Sequence, residues 1–410
     1  MDKMGQKLNR IFGRGSNNPS PQPAQQAYPP PNPPQPYHPQ PHVPQQYAQP
    51  QPPPIPQHSY PQQAHEPHHP SHVDSPRKVF AHYMVGISDG QTREQWIKEC
   101  QTAKEASIDG FALNIGPNDY WTGPQLQHAY AAAGEVSGFV LFLSFDMACG
   151  EWSVDQVVDL INTHKDSPAQ MKVDGKPFVS TFEGPGWAEN WREVRGRTGG
   201  IFLVPDWSSI GPHGVGEKLD IIDGAFSWDA WPKAGEHHMT TAADDAYKHA
   251  LRGKPYMMGV SPYFYTNLPH YSKNWYSSSA SLWPDRWASV LRLLPDYVQI
   301  ITWNDYGESS YICDTNPSQI VAGAEKYVTG YDHSGFRALL PYYTRAYKAG
   351  TGMVALPHEE ERVVACSMSS KVSSGDQKNS PWAAEVKEFP AEKGSGGSGA
   401  RALAMFLGFV

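Results

Sequence analysis

Between Lys78 and Trp303 the chain repeats one pattern: a short run that is apolar on both faces, followed in most cases by a stretch with helical spacing. The runs are Val79–Val85, Gly110–Ile115, Phe139–Phe145, Pro177–Thr181, Ile201–Val204, Gly224–Trp228, Pro255–Val260 and Tyr297–Trp303. Strands that are apolar on both faces belong to a parallel sheet covered by helices. Helical spacing is predicted over Thr92–Ala106, Gln125–Ala133, Ser153–His164, Ala242–Leu251 and Leu282–Leu294, with Ser153 as an N-cap. Eight such strands within about 230 residues predict an α/β fold of the (β/α)8 TIM-barrel type. A doubly wound open sheet is the alternative, but no Gly-rich phosphate loop follows the first strand.

Composition divides the rest. Residues 1–15 place Met4, Leu8, Ile11 and Phe12 on one helical face opposite Lys7 and Arg10, a short basic amphipathic segment suited to weak contact with a membrane surface. Residues 16–77 hold more than half of the 39 prolines, mixed with Gln, His and Tyr. Such a stretch cannot bury enough apolar surface to offset its ordering entropy, so a disordered or polyproline-II arm is expected, acting as a spacer or as a Pro-rich ligand. The folded domain is placed at 78–355, and 356–410, rich in Ser, Gly, Lys and Glu, reads as a disordered tail. The start of the chain has no apolar run of signal-peptide length, which on sequence alone reads as intracellular.

A formal charge of −8 argues against nucleic acid, because no basic face is available for phosphates. The four cysteines have no metal-ligand spacing, and neither do His237 and His238 or the histidines of the arm. No metal and no cofactor is expected, and the domain is expected to be a monomer.

In a barrel the chemistry gathers at the carboxyl ends of the strands. The carboxyl groups there are Asp146, Glu183, Asp206, Asp229, Asp305 and Glu308, interleaved with Trp207, Trp228, Trp231, Tyr263, Tyr265 and Trp303. Single carboxylates at strand ends often only cap loops; six on one rim among aromatic rings suggest a sugar-binding mouth. The last strand opens into Asn304-Asp305-Tyr306-Gly307-Glu308-Ser309. Two carboxyls with neighbouring rings are what glycosidic cleavage needs, one to protonate the leaving oxygen and one to activate water or attack carbon. Glu308 is expected to be the acid, as the residue nearer the aromatic wall and easier to desolvate, with Asp305 the base; the mirror assignment fits the same motif. His82, at the end of the first strand, is either a substrate contact or a satisfied core histidine.

Several longer motifs occur in order: Ala81-His82-Tyr83-Met84-Val85-Gly86, Gly110-Phe111-Ala112-Leu113-Asn114-Ile115, Leu143-Ser144-Phe145-Asp146, Ser180-Thr181-Phe182-Glu183-Gly184, Tyr265-Thr266-Asn267-Leu268-Pro269 and Ile301-Thr302-Trp303-Asn304-Asp305-Tyr306-Gly307-Glu308-Ser309. Over about residues 78–350 the chain resembles family 71 of the glycoside hydrolases, the fungal α-1,3-glucanases or mutanases. The resemblance implies endo-hydrolysis of α-1,3-glucan, a fungal wall polymer, with inversion at the anomeric carbon and no cofactor. It puts the catalytic carboxyls on Asp305 and Glu308, with a third important aspartate at Asp146. Its motifs add Asn114, Asn304 and Tyr306 to the substrate-binding candidates. Ser310 stands where the family has His, and Cys313-Asp314 where Gly-Pro is usual. Members usually carry a secretion signal, which implies a secreted or wall location, and commonly continue into a small β-rich domain. The alternatives are a glucan-binding barrel without hydrolysis and a hydrolase for another glucan linkage.

Overall fold

The computed structural model describes residues 77–233, 236, 238–271, 273–277 and 281–351, together with the backbone of three later strands. The basic segment 1–15 and all but the last residue of the arm 16–77 lie outside the described residues.

The architecture is a mixed α/β fold around a curled, mainly parallel sheet. Its strands are β1 (Lys78–Met84), β2 (Gly110–Ile115), β3 (Val140–Asp146), β4 (Lys172–Val173), β5 (Lys176–Phe182), β6 (Phe202–Leu203), β7 (Ala225–Ser227), β8 (Tyr256–Val260) and β11 (Tyr297–Ile300). They run in the order β4-β5-β3-β2-β1-β11-β8-β7, with β6 also paired to β5. Every pairing is parallel except the small β4–β5 hairpin. Single-residue parallel bridges then join Asp206 both to Phe182 and to Phe226. The principal helices are α1 (Arg93–Glu105), α2 (Thr122–Glu135), α3 (Val154–His164), α4 (Asn190–Thr198), α5 (Gly211–Gly216), α6 (Ala242–Leu251), α7 (Leu282–Leu293) and α8 (Leu340–Ala349).

Alternation along the strands sorts the core into two layers. One face of β1 sends Phe80 into a cluster with Phe142, Phe178, Phe226, Met257 and Tyr297, with the Phe80 and Phe142 rings edge to face at 4.9 Å. The other face sends Val79, Ala81 and Tyr83 toward the helices, where Tyr83 stacks on Trp96 of α1 at 4.4 Å. Each fully buried aromatic or aliphatic side chain contributes roughly 1.5–3 kcal/mol. Helix starts are fixed locally: Thr92 with Gln95 and Ser153 with Gln156 form reciprocal capping boxes. Gly110 opens β2 because a Cβ there would meet the Val140 carbonyl oxygen at 2.0 Å.

Four features differ from the sequence reading. Helices α4, α5 and α8 were not anticipated. The last sheet strand ends at Ile300, three residues before Trp303, and the Thr302 N–H donates to Ser310 O rather than to a neighbouring strand. An antiparallel hairpin of β9 (Tyr265–Leu268) and β10 (Lys273–Tyr276) follows β8. Within 356–410, read from composition as a tail, the backbone carries β12 (Val363–Ser369) antiparallel to β13 (Ala383–Phe389) and parallel to β14 (Phe406–Leu407).

Candidate active site

Parallel register sets the frame. Met84, Asn114, Ser144 and Ser180 stand side by side across β1, β2, β3 and β5. Two residues further toward the carboxyl ends, Asp146, Phe182, Asp206 and Phe226 form a second row. Two of the predicted carboxyls thus share one rim.

The loop after β11 supplies the central pair. Asp305 N donates to Thr302 Oγ1 at 2.8 Å, and Asp305 Oδ1 accepts from Glu308 N at 3.1 Å, so Asp305 caps the single 3-10 turn Tyr306–Glu308. Burial, reinforced by the charge of Glu308, pushes the Asp305 carboxyl up to about 8. Glu308 lies closer to solvent and its Oε1 accepts from Lys273 Nζ of β10 at 2.8 Å. The expectation that Glu308 is the more desolvated of the two is therefore corrected: the burial falls on Asp305, at 7% exposure.

Asp146 ends β3 with its Oδ1 accepting from Ala148 N at 3.0 Å and Cys149 N at 3.1 Å. Burial outweighs these bonds and the charge of Lys273, and raises its carboxyl to about 7. Asp206 is fully buried; its Oδ1 accepts from Ser208 N and Oγ at 3.0 and 2.5 Å, while Oδ2 has no hydrogen-bond partner among the described residues. Burial, with Glu183 and Asp229 adding repulsion, lifts it to about 8. Glu183 accepts from Ser209 N at 3.0 Å and from Ser209 Oγ, so with Asp206 it secures the turn Ser208–Ile210. Asp229 is half-buried, and its carbonyl accepts from Arg286 Nη2 at 2.9 Å.

His82 is neutral: burial drives it down to about 3, Gln299 Nε2 donates to its Nδ1 at 2.9 Å, and its ring meets Trp228 edge-on at 4.9 Å. Trp228 is half-buried and also meets Phe182 at 4.8 Å, which keeps a ring at the rim. Asn114 is buried in the first register row.

Four predicted sugar contacts are placed elsewhere. Trp207 and Trp303 have no exposed surface and join the layer beneath the helices, where Trp303 packs on Phe111 at 5.1 Å and its Nε1 donates to Glu99. Asn304 clasps β1, accepting from Met84 N at 2.7 Å and donating to Met84 O at 3.3 Å. The fully buried Tyr306 spends its hydroxyl on Asp314 O at 3.0 Å and Asn316 N at 3.1 Å. Both hold the loop after β11 in place. Tyr265, on β9, is 7% exposed and lies edge-on to Tyr327 at 5.1 Å.

Lys273, Glu99, Gln299 and Tyr327 were missed. Lys273 needed the β9–β10 hairpin to be recognised; Gln299 was readable, as a polar residue inside an apolar run two residues before Ile301. Among the described residues, no group of three His, Cys, Asp or Glu could hold a metal, and no helix is long and apolar enough to cross a membrane.

Residues 75–389 match the family described as glycosyl hydrolase family 71. The chain is 38% identical over 292 residues to a glucan endo-1,3-alpha-glucosidase of Schizosaccharomyces pombe, covering 68% of this chain and 67% of that protein. It is 39% identical over 281 residues to a mutanase of Penicillium rubens, covering 66% and 61%, and 30% identical over 295 residues to an ascus wall endo-1,3-alpha-glucanase of S. pombe, covering 67% of each. The matches thus span about two thirds of the length of these relatives, and less in the mutanase. A solved GH99 endo-alpha-mannosidase from Bacteroides thetaiotaomicron is similar in fold, with a TM-score of 0.51 at 13% identity, covering 66% of this chain and 97% of that one.

Proposed function

The chain belongs to glycosyl hydrolase family 71, and from that premise we propose that it hydrolyses internal α-1,3-glucosidic bonds of fungal wall glucan, with Asp305 and Glu308 as its reacting carboxyls. The observation that carries this reading is the asymmetry of the pair. Asp305 is buried and holds its proton up to a pH of about 8, whereas Glu308, three residues on, is ion-paired to Lys273. Environments that push two carboxyls apart assign the acid and the base.

In this reading Asp305 gives its proton to the glycosidic oxygen as the bond from that oxygen to the anomeric carbon breaks. Glu308 takes a proton from the water whose oxygen bonds to that carbon from the opposite face, so configuration inverts. Asp305 is left as carboxylate and Glu308 as acid, and exchange with solvent restores both. The roles are the reverse of those expected from sequence, because desolvation favours the neutral form and Asp305 is the desolvated residue. Asp146, held by two backbone N–H groups, orients the water or the pair. His82, Asn114, Trp228 and Asp229 remain the candidate substrate contacts, with Tyr265 beside them on the hairpin. We read the eight parallel strands as a closed barrel, a reading supported by the two bridges through Asp206.

The test is reducing-sugar release by the full-length protein from α-1,3-, β-1,3- and α-1,4-glucan. Release from the α-1,3 polymer is expected. Asp305→Asn and Glu308→Gln should each lower kcat by roughly 10²–10⁴-fold without unfolding the domain. Release from another polymer alone, or wild-type kcat in either variant, would contradict the assignment.

A further inference from the structure

Two carboxyls close together in a buried site cannot both ionise cheaply, so some asymmetry must decide which one keeps the proton. Here the asymmetry comes from outside the sheet. Lys273 opens β10, five residues past the end of β9, and its Nζ meets Glu308 Oε1 at 2.8 Å with both side chains mostly buried, at 21% and 14% exposure. Its charge also acts on Asp305, beside Glu308, and on Asp146 at the end of β3.

The hairpin is tied to the catalytic turn by a separate set of contacts. Two strands of four residues are marginal alone. Here Leu268 is buried, Tyr265 packs edge-on against Tyr327 at 5.1 Å, and the Tyr327 hydroxyl donates to Gly307 O at 2.9 Å, within the turn between Asp305 and Glu308. The carboxyl groups on which the Lys273 charge acts thus include Glu308 and Asp305 from the turn and Asp146 from β3.

We propose that the β9–β10 hairpin belongs to the catalytic apparatus and that Lys273 is the positioning residue that divides the two roles, fixing Glu308 as the carboxylate and leaving the proton to Asp305. The inference rests on Asp305 and Glu308 being the reacting pair, and it adds the element that makes them unequal. Lys273 need not touch the sugar. It acts through Glu308.

The experiment uses the full-length protein and its Lys273→Met, Lys273→Gln and Lys273→Arg forms. Carbon-13 carboxyl NMR, with Asp305 identified by its loss in Asp305→Asn, follows the Asp305 and Glu308 titrations without substrate. Removing a cation raises the proton affinity of both carboxyls, most of all that of the one in contact with it. In Lys273→Met the Glu308 signal, identified by its loss in Glu308→Gln, should therefore move up further than that of Asp305, and the two titrations should draw together. The substitution should also move the alkaline limb of kcat/KM on α-1,3-glucan in the same direction and cut kcat at least about tenfold, with both effects largely restored in Lys273→Arg. A Glu308 titration that moves no further than that of Asp305 in folded Lys273→Met or Lys273→Gln would overturn the proposal and leave Lys273 a structural contact, even if activity fell. That displacement in Lys273→Met, together with a wild-type protein that releases no sugar from α-1,3-glucan, would uphold the division of charge and reject the substrate reading, so the two failures are distinguishable.

Discussion

Three aspartates carry raised carboxyl values for the same reason, burial: Asp146 at about 7, Asp206 at about 8 and Asp305 at about 8. In the unfolded chain an aspartate titrates near 3.9, so between about pH 4 and 8 the folded protein binds more protons than the unfolded one. Stability contributed by these sites therefore falls as pH rises through that window, and the cost is fully present above about 8. The thermal midpoint should be higher at pH 5 than at pH 8.5. Asp206→Asn should flatten the difference and raise the midpoint at the alkaline end, since the amide needs no proton to remain neutral. A midpoint that rises with pH across the same range would mean that these carboxyls are better stabilised as anions than their surroundings indicate. Sequence position located these residues because strand ends are recognisable. It misplaced the tryptophans because the face of a strand matters as much as its end. The alternation that puts Phe202 and Val204 in the inner cluster sends Trp207 to the opposite face. Trp303 would face inward by the same count from Tyr297 and Ile301, but the alternation breaks after Ile301 and the ring joins the outer layer.

At the scale of elements, the sheet was the legible part, since its strands are apolar on both faces and flanked by amphipathic spacing. Helix α4 was not, because Asn190–Thr198 offers only Trp191, Val194 and Thr198 to the core among four charged residues. The β9–β10 hairpin was hidden for another reason: Tyr265–Leu268 shows no polar alternation, and its connection to β10 begins with Pro269. That hairpin carries Lys273 to Glu308. Its link to the turn Tyr306–Glu308 runs through Tyr327, so Tyr327→Phe tests the coupling. The lost bond to Gly307 O should cost about 1 kcal/mol of stability. It should lower kcat several-fold while leaving KM nearly unchanged, because the turn rather than the sugar is what loosens. A change confined to KM would instead make Tyr327 part of the binding surface.

For the whole molecule, two apolar layers lie on opposite faces of one curled sheet with the buried carboxyls Asp146, Asp206 and Asp305 at or beyond its strand ends, and a net charge of −8 suits a neutral polymer better than an anionic one. The family match from residue 75 to residue 389 covers this sheet and extends over β12 and β13. The central claim is that the rim works as an unequal pair, with Asp305 protonated and Glu308 ionised, on α-1,3-glucan. Azide rescue tests it most directly, because azide replaces the water that the base would activate but cannot replace the acid. With α-1,3-glucan as substrate, Glu308→Ala should regain turnover in azide and yield the β-glucosyl azide, while Asp305→Ala should stay inactive. Rescue of Asp305→Ala in place of Glu308→Ala would contradict the account, and would return the acid to Glu308.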